Sequence, residues 1–179
     1  MEPRHLSLDE LNSGLDEILQ SPVDGGRIEM LIVRPIADER QTPQMVEVNS
    51  DAGVVGDHWS TGEYSDESDV QIAIMNSRVL DLVTGNARER WSLAGDNLIA
   101  DMNLSQENLV PGQKLEIGSA ILEITEVPHK GCSKFSARFG PDALRFVNLG
   151  RAAELRLRGV YARVVQPGHI TVGDQINKL

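Results

Sequence analysis

The chain has 179 residues, 40% of them hydrophobic and 25% charged, which is enough for one ordinary globular domain and unlike a disordered composition. Aromatic residues make up only 4%, so branched aliphatics must fill the core, and no window approaches the ~20 apolar residues a membrane span needs. A net charge of −10 argues against a general nucleic-acid binder, which needs clustered cations to neutralise phosphate.

In chain order, residues 1–26 read as an N-terminal helical extension and 27–179 as a single domain. Leu8, Leu11, Leu15 and Ile18 recur at three- and four-residue steps, so the spacing predicts a helix through residue 22. Ser21-Pro22 and the Asp24-Gly25-Gly26 turn end it. The segment is rich in acids and has no apolar run, unlike a signal peptide. Residues 27–35 predict a strand with Ile28, Met30 and Ile32 on one face, and residues 45–57 a second extended stretch interrupted at Asp51-Ala52-Gly53. Residues 60–69 are a polar, acidic loop. A short buried strand follows over 70–75, then a helix capped by Asn76 and closed by Gly85.

Beyond Arg88 the β signals dominate. Residues 114–117 and 120–127, joined by Gly118-Ser119, predict a hairpin stopped by Pro128. Residues 133–139 predict a helix that Ser133 could cap and Gly140 ends, and Pro141 suits the first turn of another reaching about Leu149. Residues 160–165 and 170–172, with a turn at Pro167-Gly168, predict a closing hairpin. No repeat or linker marks a second domain. The expected class is a β-rich α+β domain with short peripheral helices.

The acidic average conceals an asymmetry: residues 129–163 carry eight Lys and Arg against two acids. Such a segment is either a solvated helix face or a site for a small anion. The one cysteine, Cys132, lies inside it. A lone cysteine cannot form an intrachain disulfide, which points to a reducing cytoplasm. At a helix start beside Lys130 and Lys134 its thiol should have a lowered pKa, and thiolate is the nucleophile, the persulfide carrier and the soft-metal ligand. Gly131 allows a ligand to approach the backbone closely. The alternative is a buried cysteine acting as a small hydrophobe. His129 and Cys132 are spaced as HxxC, but one cysteine and four scattered histidines do not make a four-ligand zinc site. His129 or His58 could serve as base to the thiol in a hydrolase. Asp57-His58 and Asp96-Asn97 each read as a turn first and a ligand-orienting loop second.

Four pieces in order, GVVGDHW (53–59), RERWSLAGDNL (88–98), LVPGQKLEIGSAILEITEVPHKGCSKF (109–135) and RLRGVYARVVQPGHITVGD (156–174), resemble the MOSC family, named for the C-terminal domain of molybdenum-cofactor sulfurase. The resemblance spans roughly residues 27–177 and is to its short, stand-alone bacterial-type members. It implies a β-barrel with short helices, and a cysteine, here Cys132, that carries persulfide or ligates molybdenum. Arg158-Gly159 matches the family's RG signature, and Gly56-Asp57-His58 its GD-containing loop. Asp96-Asn97-Leu98 stands where Glu-Asn-Leu is common. Charge and proximity add Lys130, Lys134 and Arg138 as contacts to the phosphate of a molybdopterin cofactor. The chain leaves no room for the pyridoxal-phosphate domain of the sulfurase, so that cofactor is not expected here, nor is the extra β domain of amidoxime-reducing members. Three functions stay open: cofactor binding or sulfur carriage, molybdenum-dependent reduction of N-hydroxylated compounds with a separate electron donor, and a non-catalytic binding or assembly module. The first two call for a sulfur-donor or electron-donor protein as partner.

Overall fold

A computed structural model describes residues 3–179. Seven strands close a barrel in the order β1 (Gly26–Leu31), β10 (Gln175–Lys178), β6 (Lys114–Ile117), β7 (Ala120–Ile124), β8 (Val160–Gln166), β4 (Ile72–Asn76), β5 (Leu98–Asp101), and β5 returns to β1. All neighbours are antiparallel except β4 with β5. A small second sheet runs β3 (Gly53–Val54), β2 (Met45–Asn49), β9 (Gly168–Thr171). Six short α-helices, α1 (Leu8–Ser13), α2 (Leu15–Leu19), α3 (Ser77–Thr84), α4 (Ser133–Phe139), α5 (Pro141–Asn148) and α6 (Ala152–Leu155), and three 3-10 segments at His58–Thr61, Ser68–Val70 and Arg88–Ala94 make up the helical structure of the described residues.

Two cores result, and their composition follows from geometry. The barrel interior takes inward-facing residues such as Ile28, Ile72, Ile74, Leu98, Leu122 and Val160, and contains no aromatic side chain. All three phenylalanines, Phe135, Phe139 and Phe146, lie instead in the layer between barrel and helices, with Leu11, Met75, Leu80 and Trp91. Strand β4 is buried on both faces because it serves both cores, Ile72 and Ile74 inward and Met75 outward. Alternating exposure along β6 and β7 marks strands with one buried face.

Several expectations change. The single N-terminal helix is two short ones with Gly14 between them (Met1 and Glu2 lie outside the described residues). A Cβ on Gly14 would stand 2.5 Å from Leu82 Cδ1, so the break lets α3 approach. The strands expected as a closing hairpin form, but they do not pair with each other. β8 joins the barrel between β7 and β4, and β9 crosses to β2. The chain turns out of the barrel where Gly168 packs on the Ser119–Ala120 backbone, with His169 N–H donating to Ser119 Oγ at 2.8 Å. Asn76 does cap α3, its Oδ1 accepting from Arg78 N–H at 2.8 Å, and Gly85 closes it at φ 63°. Strands β5 and β10 carry no strong local signature, and it is pairing that defines them, β5 between β1 and β4 and β10 between β1 and β6.

Candidate functional site

Cys132 occupies the N-cap position of α4, one residue before the serine expected there, and its side chain is exposed. The exposure removes the buried-hydrophobe alternative. The loop before it is clamped from α5: Asn148 Oδ1 accepts from Gly131 N–H at 2.8 Å, and its Nδ2 donates to Gly131 O at 3.0 Å. A Cβ on Gly131 would lie 2.7 Å from Leu144 Cδ1, so this glycine serves packing on α5 rather than ligand approach. Partial burial pushes the thiol pKa up. The backbone N–H groups of Phe135 and Lys134, then the charges of Arg158 and Lys134, pull harder, and the thiol ends below its ordinary value.

The thiol opens onto a cavity of about 550 Å³. Five cations line it: Arg34, Arg40, Lys134, Arg138 and Arg158. Two buried carboxylates hold two of them, and the exposed Asp38 lies 3.5 Å from a third, Arg138. Asp57 accepts from Arg34 Nε at 2.9 Å and Nη2 at 2.8 Å, and also from Arg34 N–H, Trp59 N–H and Asn97 Nδ2. Burial pushes the Asp57 carboxyl up, but the Arg34 guanidinium and these N–H groups outweigh it, and its pKa lies below the usual value. Asn97 ties this pair to the barrel, its Oδ1 accepting from Ala73 N–H at 3.1 Å. Arg34 also donates to Gly95 O at 2.9 Å.

Asp96 is fully buried and accepts from Arg158 Nη1 at 2.7 Å. Burial raises its pKa, with Arg158 and then Arg34 opposing. Arg158 donates as well to Ala94 O, and its guanidinium lies 5.0 Å from the Phe135 ring centroid. The glycine after it is required: at φ 114°, a Cβ on Gly159 would stand 2.3 Å from Ile74 O. The RG pair thus lets β8 lie against β4 while its arginine turns to the cavity. His129 is nearly buried and stacks on Tyr161 at 4.2 Å, with Nδ1 3.5 Å from Asp96 Oδ1. Burial first, then Arg158 and Arg34, drive its pKa well below the ordinary value, so the ring is neutral.

The cavity therefore unites six of the sequence-derived residues directly: His58, His129, Cys132, Lys134, Arg138 and Arg158. Asp57, Asp96 and Asn97 stand behind it as a buried frame rather than as free ligands. Lys130 lines a separate, smaller cavity. Sequence reasoning missed Arg34 and Arg40, which reach the site from the loop after β1. A Cβ on Gly95 would stand 3.6 Å from Arg40 Nη2 and 3.9 Å from Arg138 Nη1, so two guanidiniums converge there. Burial, then the charges of Arg138 and Arg34, lower the Arg40 pKa. Neither Arg40 nor Lys134 pairs with a carboxylate among the described residues. Among those residues no group of three His, Cys, Asp or Glu side chains is placed to hold a metal, and no helix is long and apolar enough to cross a membrane.

The site is thus an exposed thiol at the mouth of an arginine-rich cavity, carried on a closed mixed barrel. The family model for the MOSC domain matches residues 61–177, and the chain belongs to that family. Its fold is similar to the crystal structure of the YUAD protein from Bacillus subtilis, at 17% identity and TM-score 0.63, covering 86% of this chain and 94% of that one. It is similar also to YiiM from Geobacillus stearothermophilus, at 19% identity and TM-score 0.56, over 86% and 75%. YiiM from Escherichia coli aligns at 15% identity and TM-score 0.54, over 86% and 69%. A comparison with curated protein sequences finds no match.

Proposed function

We propose that the cavity binds the molybdenum cofactor, with Cys132 as the thiolate that meets its metal or carries sulfur for it. The observation that carries this is the convergence of five cations and an exposed, acidified thiol on one cavity. At about 550 Å³ the cavity lies within the range of ~300–1,000 Å³ typical of cofactor sites. The donor set fits an anion with a soft-metal end. Arg40 and Arg158 each have a buried Nε without a partner, and such orphaned donors suit phosphate or pterin oxygens.

Arg34, Arg40 and Arg138 would hold the phosphate, Arg34 pre-aimed by Asp57 and Arg138 by the Leu93 carbonyl at 2.7 Å. Cys132 would be the one protein ligand to the metal, because the sequence has no second cysteine and no carboxylate cluster accompanies it among the described residues. When bound, the cofactor supplies two-electron redox or sulfur-transfer chemistry that protein side chains lack. In the carrier role the Cys132 thiolate attacks a sulfane sulfur of a donor protein, forming an S–S bond while the donor's thiolate leaves. A donor of sulfur or of electrons is a required partner, and the exposed lone thiol fits a reducing cytoplasm.

The test is expression in cells competent for cofactor synthesis, followed by molybdenum and pterin determination on the native protein. Both species in wild type, pterin reduced in Arg40→Ala, and metal lost in Cys132→Ser are expected. Neither species in the folded wild-type protein would overturn the proposal.

A further inference from the structure

Two cavities meet at one side chain. His129 lines the large cavity and also a smaller one of about 250 Å³, walled by Pro128, Lys130, Asn148, Arg156 and Val160. Its ring is held on one face by Tyr161, whose own hydroxyl stays protonated because burial and then Asp96 raise its pKa. Nδ1 is closed to solvent and has no hydrogen-bond partner; the same is true of Asp96 Oδ1, 3.5 Å away. The other oxygen of that carboxylate is fixed by Arg158. A carboxylate only accepts, so the ring nitrogen facing it carries the proton in the neutral imidazole, and Nε2 is left as the acceptor.

Arg158 and Arg34, both of which line the large cavity, are the charges that act on the ring, while Glu126, Lys130 and Arg156 line the smaller cavity on its other side. Burial is the first cause that keeps the imidazole uncharged and the repulsion of these guanidiniums the second; an anion bound among them cancels the repulsion and adds its own attraction to the charged ring. We propose that this cavity takes up one proton with its anion, and that the proton resides on His129 with Asp96 as the positioning residue. A solvent acid gives up the proton, an N–H bond forms at Nε2, and no electrons change hands. The charged ring then adds a donor to the bound anion and holds a proton for any leaving atom that needs one. The inference rests on the anion-site reading above.

Sulfate is the probe, because it keeps its double charge across the range about pH 5 to 8. Calorimetry in two buffers of different ionisation enthalpy should show uptake approaching one proton per sulfate. Affinity should rise by up to about tenfold per unit fall in pH between the free and bound pKa values of the ring. His129→Gln should bind sulfate without that uptake, and Asp96→Asn should diminish it. His58, half-exposed at the same cavity, is the competing imidazole, so His58→Gln must retain the uptake. Nitrogen-15 spectra of wild type, labelled at histidine, read the His129 charge without any variant: neutral alone, protonated with sulfate. Sulfate binding with the ring still neutral, or uptake lost in His58→Gln, overturns the proposal and leaves the anion site standing. No sulfate binding at all defeats the anion site, and this inference with it.

Discussion

Replacing Asp57 by alanine tests whether the cavity wall is held as described. The carboxylate accepts from five donors: Arg34 N, Nε and Nη2, Trp59 N and Asn97 Nδ2. Its side chain is 1% exposed and that of Arg34 is 19% exposed, so neither water nor a new partner readily replaces it. Removing one member of a buried pair typically destabilises by about 3–5 kcal/mol. The partial exposure of Arg34 argues for the lower end, about 3 kcal/mol, or a fall in Tm of about 6–12 °C for a domain of this size. Thermal and urea unfolding followed by circular dichroism measure it. Arg34→Met in the Asp57→Ala background should recover part of the loss, because no unpaired charge remains. The pH sign is set by the depressed Asp57 pKa. Its stabilisation is complete above the unfolded carboxylate value of about 3.9 and is lost as pH falls through the lower folded value. A loss below about 0.5 kcal/mol, the range of ordinary surface substitutions, would refute the claim that this pair organises the wall.

Cys132→Ser should leave unfolding within about 0.5 kcal/mol of wild type, since the thiol is exposed and packs into no core; a larger loss would mean a structural role. Gly131→Ala forces a Cβ against Leu144 and Val147 and should destabilise by about 1–3 kcal/mol, checked by the same melts. His129 is buried neutral with a depressed pKa, so the unfolded chain binds the extra proton. Its contribution to stability is present above about pH 6.5 and is lost as pH falls below it, and His129→Gln should flatten that part of the profile. Arg40→Ala and Arg138→Ala should each weaken sulfate binding and reduce its salt dependence, followed by fluorescence of Trp59 in the cavity wall.

Local chemistry in the sequence determined those elements whose partners lie close by. Asn76 and Gly85 bracket α3, Gly118-Ser119 turns β6 into β7, and Gly140-Pro141 separates α4 from α5. The family too was legible, since its signature residues sit at such turns and strand starts. So was the site's chemical character, because Cys132, Lys134, Arg138 and Arg158 lie in one basic segment. Tertiary structure decided everything that depends on pairing across long separations. β5 is a strand because β1 and β4 flank it, and β9 leaves β8 because β2 offers an edge. Arg34 and Arg40 carry no motif and are brought to Arg138 only by barrel closure, about 100 residues distant in the chain. The roles of Asp57 and Asp96 divide for the same reason. A Gly-Asp dipeptide reads alike on a surface turn and in a buried frame, and only the arginine that folding places opposite each carboxylate distinguishes them.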